Sequence, residues 1–182
     1  MTGTKVTAQF IKAASNFVPN SVLNRTMYEC SQEIEVPHPT EEDLAFGRML
    51  ALNSKDSAPG MNPDKPYAEE MKPLTGVFTQ GHGSSDVGDV SRVCPTIWLS
   101  AATWTVGTPS HSWQVTSQGK RTWGKRMTRY AAKLMAATAV RMLEHPERID
   151  EAWVEYHEAV GDGYTPLIPK DVVPTPLAAL KK

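Results

Sequence analysis

Thr96-Ile97-Trp98-Leu99-Ser100-Ala101-Ala102-Thr103-Trp104-Thr105-Val106 is the stretch that sets the expected architecture. It is rich in β-branched and aromatic residues and bounded by turn formers, so it reads as a buried strand. It runs directly into Gly107-Thr108-Pro109-Ser110-His111-Ser112-Trp113, and it is preceded by Gly81-His82-Gly83-Ser84-Ser85-Asp86-Val87-Gly88-Asp89-Val90-Ser91. Gly, Ser, Asp, His and Trp thus gather in turns beside a strand, the place where a rigid scaffold usually displays chemistry.

Downstream, residues 123–143 read as a long helix with Met127, Ala131, Leu134, Met135, Thr138 and Met142 on the buried face and small alanines suited to packing on a sheet. Pro146 opens a further helix to about Val160, with Ile149, Trp153 and Tyr156 on one side, ended by Gly161-Asp162-Gly163. The proline-rich remainder reads as a surface tail.

Upstream, residues 5–11 alternate enough to read as a strand, although nothing precedes them for it to pair with. Asn16 to Asn20 is a turn, and Ser21 caps a helix running to about Glu33. Thr40 followed by Glu41, Glu42 and Asp43 is a hydroxyl cap with acids in the first turn, so a second helix runs to about Ser54. Residues 55–73, punctuated by five prolines and glycines, form a long loop. Strands alternating with helices give an α/β layered fold. The sheet is thin, as if the chain were part of a larger architecture.

Bulk properties narrow the function classes. The chain has 182 residues and a net charge of −1, which gives no electrostatic case for nucleic acid. Cys30 and Cys94 are too few for a disulfide scaffold and read as two reduced thiols. The opening Met1-Thr2-Gly3-Thr4-Lys5-Val6 lacks the basic start and apolar core of a signal peptide, and no apolar run is long enough to cross a bilayer. A cytoplasmic location and no membrane partner are the expectation.

Of the five histidines, His38, His145 and His157 read as ordinary exposed side chains. His111 sits in the turn after the expected strand, where a neutral imidazole can give one nitrogen to a metal while a neighbour fixes the other. A hydrogen-bonded structural histidine fits the same spacing. Asp86 and Asp89 stand three residues apart. They could bind metal, hold a histidine or cap a short helix. Gly-His-Gly at 81–83 is neither a metal-ligand spacing nor a phosphate loop, and no zincin, Walker, nucleophile-elbow or dinucleotide motif occurs.

Taken in order and spacing, three strings carry a resemblance: residues 83–91, Gly107-Thr108-Pro109-Ser110-His111-Ser112-Trp113-Gln114 and Tyr130-Ala131-Ala132-Lys133. Together they resemble the zinc-dependent aminoacylase and carboxypeptidase family, in the branch of the aminobenzoyl-glutamate hydrolase B subunit. Thr2-Gly3-Thr4 and Ser15-Asn16-Phe17-Val18-Pro19-Asn20 are similar to the same branch. The resemblance implies a two-domain metallo-amidohydrolase of which this is the C-terminal portion. Residues 1–15 would be the last strand of a lid or dimerisation domain, residues 16–169 the returning half of the catalytic domain, and residues 170–182 a tail.

The resemblance further implies two adjacent zinc or manganese ions that polarise an amide carbonyl and activate a water, with a glutamate as base. It makes His111 a metal ligand. Ser85, Asp86, Asp89, Thr108 and Ser112 would line the pocket, with Asn16 and Lys125 facing substrate. Most ligands and the base would come from an N-terminal half that this sequence does not contain. One imidazole and two carboxylates fall short of a metal site, so no bound metal and no catalysis are expected of this chain alone. Expected partners are that N-terminal half, a small-molecule amide substrate and, in the complete family, further copies. Lys125 and Met127 stand where the branch has a histidine and a glycine, and Arg92 and Ser110 replace apolar or glycine residues. These departures keep open a non-catalytic binding module, or a truncated remnant of the fold. Trp98, Trp104 and Trp113 are expected to be partly uncovered, with self-association as the consequence.

Overall fold

The computed structural model describes residues 2–76, 83–161 and 163–173. Six helices follow one another: α1 (Ser21–Glu33), α2 (Glu41–Asn53), α3 (Val87–Val90), α4 (Trp113–Gln118), α5 (Thr122–Glu144) and α6 (Pro146–Val160). The four longer ones match the expected helices. Asn20 caps α1, its side chain accepting from the Leu23 amide, so the cap lies one residue before the expected Ser21. Thr40 and Asp43 close a reciprocal capping box on α2.

The α/β expectation is overturned. Among the described residues there is no strand, and the fold is helical. Residues 5–11 form no regular element and are exposed, with Val6 88% and Phe10 52% accessible. The stretch 96–106 is irregular: Thr105 is buried, but Trp98, Trp104 and Val106 are 50%, 39% and 43% exposed. β-branched and aromatic content reports suitability for a pleated, half-buried surface, not the presence of a neighbour. Without one, a strand cannot satisfy its backbone groups. Here the backbone is held otherwise, the Val106 amide on the Pro66 carbonyl at 2.8 Å and the Thr105 amide on the Gln118 side chain at 2.8 Å.

The helices pack on each other instead of on a sheet. α1 lies against α5 and α6, which also touch each other. Glu155 of α6 reaches the first turn of α1, its carboxylate accepting from the Ser21 amide at 2.8 Å and the Val22 amide at 3.2 Å, an anion placed on unpaired helix N–H groups. Arg148 of α6 donates to Glu29 at 2.7 Å and to the Thr26 hydroxyl at 3.1 Å.

The core gathers Met27, Cys30, Tyr67, Trp123, Met127, Tyr130 and Leu134, with Ile97, Leu99 and Ala102 packed against it. Trp123 is 1% exposed, its indole N–H donates to the Ala102 carbonyl at 2.8 Å, and its ring lies 4.6 Å from Tyr67. Full burial of such a side chain contributes roughly 1.5–3 kcal/mol. Of the expected buried face of α5, Met127, Leu134, Thr138 and Met142 are buried, Ala131 is half-buried, and Met135 is 58% exposed. Cys30 is buried and Cys94 partly so, both as free thiols. α2 joins the bundle through Asp43, which is 4% exposed. Its carboxylate takes the Thr122 hydroxyl at 3.1 Å and an ion pair from Arg126 of α5.

Candidate functional site

The turn at 105–113 is built by buried glutamines. Gln118 and Gln114 lie one helical turn apart on α4 and are 4% and 2% exposed. Gln118 accepts from the Thr105 amide and donates to the Thr108 hydroxyl at 3.2 Å, while Gln114 donates to the Ser57 hydroxyl at 2.9 Å. The Thr108 hydroxyl closes back on the Thr105 carbonyl at 2.7 Å. Ser112 donates to the Pro109 carbonyl at 2.6 Å and caps α4 through the Val115 amide. The hydroxyls of Thr108 and Ser112 are therefore committed to shaping the turn.

His111 sits at the outer end of this construction. It is exposed, and its φ of 58° makes it the non-glycine residue of the described chain in the left-handed region. That conformation costs a side-chain-bearing residue of order 1 kcal/mol and persists where the surroundings impose it. Among the described residues its ring takes no hydrogen bond. A neutral imidazole so displayed has both nitrogens open to an incoming group.

The acidic turn is anchored by the N-terminal segment. Gly88 packs so tightly on Ser15 that a Cβ would lie 1.9 Å from the Ser15 carbonyl oxygen. The Val18 amide donates to the Ser91 hydroxyl at 2.9 Å, and Arg92 reaches the Asn16 carbonyl at 3.4 Å. Asp89 accepts the Ser15 hydroxyl at 2.7 Å and the phenol of Tyr164, and Ser15 and Tyr164 lie 2.9 Å apart. Those bonds, from Tyr164 first and then Ser15, hold the Asp89 carboxyl below the ordinary carboxylate range, with Arg92 adding a smaller effect. Asp86 stands at the start of α3 but makes no side-chain cap, and it takes only the Ser85 hydroxyl at 3.3 Å. Helix capping, the plainest role for the acidic pair, is thus not what either carboxylate does.

The expected residues fall into separate places. The segment carrying Asn16 is brought onto the turn carrying Ser85, Asp86 and Asp89. Thr108, His111 and Ser112 share the other turn, and Lys125 is exposed in the first turns of α5. Gly81 and His82 lie outside the described residues. A cleft of about 230 Å³ between α1, α5 and residues 97–99, lined by Met27, Tyr28, Leu134 and Trp98, contains none of the expected site residues. Among the described residues no three His, Cys, Asp or Glu side chains come together as a metal-holding group. Of the expected ligands, His111 alone presents a free imidazole donor. Tyr164 and Gln118 carried no motif in the sequence, and Ser15 and Gln114 stood in the quoted strings with no role assigned to them. The glutamine pair was the readable signal, two amides spaced i, i+4 directly after the histidine turn.

The chain is similar to one component of a hydrolase, as the motif strings indicated. That relative is the B subunit of p-aminobenzoyl-glutamate hydrolase from Escherichia coli (strain K12), 32% identical over 198 residues that take in 97% of this chain and 41% of the relative. The chain spans about two fifths of the length of the curated relative it matches. No family model and no solved structure matches it. Among the described residues no helix is long and apolar enough to cross a membrane.

Proposed function

We propose that this chain is the C-terminal part of a metal-dependent amidohydrolase cleaving the amide bond of an N-acyl amino acid or an aminobenzoyl-glutamate-like substrate. It works in the cytoplasm together with the part of the relative that it does not match, on the same or a second polypeptide. The observation that carries the reading is His111, an open imidazole in a left-handed conformation, held out by a turn that buried side chains fix. The similarity to a component of a hydrolase supplies the reaction class.

In this reading His111 offers one ring nitrogen to the metal. When bound, a dinuclear zinc or manganese centre supplies Lewis acidity toward the amide carbonyl and acidifies water. Asp86 and Asp89, which this structure places on a turn apart from the one carrying His111, serve as outer carboxylates, Asp89 with its charge maintained by Ser15 and Tyr164. Asn16 and Lys125 contact the substrate, Lys125 matching an anionic amino-acid carboxylate. The remaining ligands and the general base come from that unmatched part, so this chain without it binds no metal pair and is inactive.

Co-expression with a polypeptide corresponding to that unmatched part tests the proposal. Hydrolysis of aminobenzoyl-glutamate should appear only with both parts present, and His111→Ala should lower it by about a hundredfold, the scale of losing a metal-orienting group. Near-stoichiometric zinc or manganese in the dialysed lone chain, or activity indifferent to His111, would overturn it. The departures at Lys125 and Met127 favour a second reading, a binding module that has lost the chemistry. Tight binding of an acyl amino acid by the lone chain, with no hydrolysis on complementation, would support that instead.

A further inference from the structure

Two carboxamides are buried on α4, a helix of six residues, and a buried carboxamide is unfavourable unless its bonds are made. Gln118 makes them on both sides. Its carbonyl accepts the Thr105 amide at 2.8 Å, and its NH2 group donates to the Thr108 hydroxyl at 3.2 Å and to the Gln114 carbonyl at 3.1 Å. Only a carboxamide of this length accepts and donates in that way. A carboxylate cannot donate, a thioether does neither with any strength, and asparagine is one methylene short.

These bonds fasten one end of the turn that displays His111. Thr105 is 1% exposed, and its carbonyl takes the Thr108 hydroxyl at 2.7 Å, so the two threonines form one unit. Ser112 fastens the other end, donating to the Pro109 carbonyl at 2.6 Å and accepting the Val115 amide at 3.4 Å. Pro109, Ser110 and His111 lie between, and the ring of Pro109 fixes its own φ. With both ends held, the unusual backbone angle falls on His111, at φ 58°. That region is disfavoured by about fivefold for a residue with a side chain, so an unfastened turn would leave it. We propose that Gln118 is a positioning residue for His111: by fixing Thr105 and Thr108 it imposes the left-handed backbone on which the imidazole is displayed.

Gln114 has a different task, since its side chain goes to Ser57 and ties α4 to the loop of residues 55–73. The consequence of the Gln118 bonds for catalysis rests on the reading of His111 as a metal ligand. A ligand kept in one backbone conformation is ready for the metal. One that has relaxed binds more weakly in proportion to the fraction still in place. The conformation of His111 is measurable without any metal, so the positioning role and the ligand role fail separately.

Backbone carbon shifts and the amide–Hα coupling of His111, read by NMR on the full 182-residue chain without metal, report its φ. Gln118→Met, and Gln118→Glu at neutral pH, should move them toward the values of an ordinary turn. Exchange of the Thr105 amide should quicken about tenfold in Gln118→Met, the scale of one lost hydrogen bond. Acidification should reverse the His111 change in Gln118→Glu, because a protonated carboxyl regains a donor and burial raises its titration above the ordinary glutamate range. Gln118→Met should stay shifted. Thr108→Val, a milder variant that removes the hydroxyl Gln118 donates to, should move His111 in the same direction by less. Thr138→Ala, which removes a buried hydroxyl bonded to the Leu134 carbonyl within α5, should leave His111 unchanged. In the complemented enzyme, chelator competition should show zinc held about fivefold more weakly by Gln118→Met. Left-handed values persisting in both Gln118→Met and Thr108→Val, a change in Gln118→Glu that acid does not reverse, or an equal change in Thr138→Ala would overturn the proposal. If His111 relaxes as expected while zinc affinity is indifferent to His111→Ala, the positioning role stands and the ligand reading falls.

Discussion

Gly107 rests against Gly60 so closely that a Cβ on Gly107 would meet the Gly60 carbonyl oxygen at 2.0 Å. Gly107 also has a φ of +75°, so two independent constraints, contact and backbone conformation, require glycine there. It is the residue where the irregular 96–106 stretch passes into the turn that displays His111. The loop of residues 55–73 and the histidine turn are one construction, tied also by Gln114 on Ser57 and by Val106 on Pro66.

Gly107→Ala should therefore cost about 2–4 kcal/mol, the sum of a left-handed alanine and an overpacked contact. Urea unfolding followed by fluorescence measures it. A change under about 0.5 kcal/mol, the scale of neutral surface substitutions, would mean that the two loops are not in contact.

The node at Asp43 gives the second prediction. Burial pushes its carboxyl up, but hydrogen bonds from the Thr40 amide and hydroxyl and from Thr122, with the charge of Arg126, outweigh burial and hold it below the ordinary value of 3.8. Asp43→Ala removes those bonds and leaves the guanidinium of Arg126, itself partly exposed, without its counter-charge. The expected loss is about 3 kcal/mol. Arg126→Met, which retains the stem packing, should cost less than Asp43→Ala, since Thr40 and Thr122 still serve the carboxylate.

Stability against pH follows with definite signs. Asp43 and Asp89 both have depressed folded values, so their contribution is present above the ordinary carboxylate value of 3.8 and is lost as pH falls below it, through the folded values. Tyr67 is the opposite case. Burial first, and then the charge of Asp43, push its phenol from 10.0 up to about 12, so its contribution is intact below pH 10 and disappears as pH rises to about 12. Thermal unfolding followed from strongly acidic to strongly alkaline pH should show a plateau with both flanks, and Tyr67→Phe should flatten the alkaline one.

How much of this was legible in the sequence depends on whether the signal was local. Thr40 with Asp43, Pro146 as a first helical residue and Gly161 at a helix end are decisions made within one turn, and the helices they bound lie where expected. The expected strands at 5–11 and 96–106 failed because strand formation is a property of pairs, and nothing local says whether the partner is present. The outer face of α5 is the same lesson in a helix: Met135 has the spacing of a core residue, yet the spacing cannot say which of two apolar faces finds a neighbour. At the candidate site the conspicuous residues His111, Asp86 and Asp89 were readable. Ser15 and Tyr164 were not, because they meet Asp89 only through a contact between segments far apart in sequence.

That three-way contact carries the last prediction. Ser15 precedes α1, Asp89 lies in α3 and Tyr164 follows α6, so one carboxylate fastens both flanks of the helical bundle to the acidic turn. A carboxylate that accepts two hydroxyl donors is favoured in its charged form, which is why its proton affinity falls. Tyr164→Phe removes the larger of the two contributions and Ser15→Ala the smaller. Carboxyl carbon shifts in an NMR titration should show the Asp89 value rising in both variants, more in the first, and reaching the ordinary range in the double variant. If the Asp89 curve does not move when Tyr164 loses its phenol oxygen, the segment after α6 is not fastened there. The acidic turn would then be held by residues 15–18 alone, through Gly88 and Ser91.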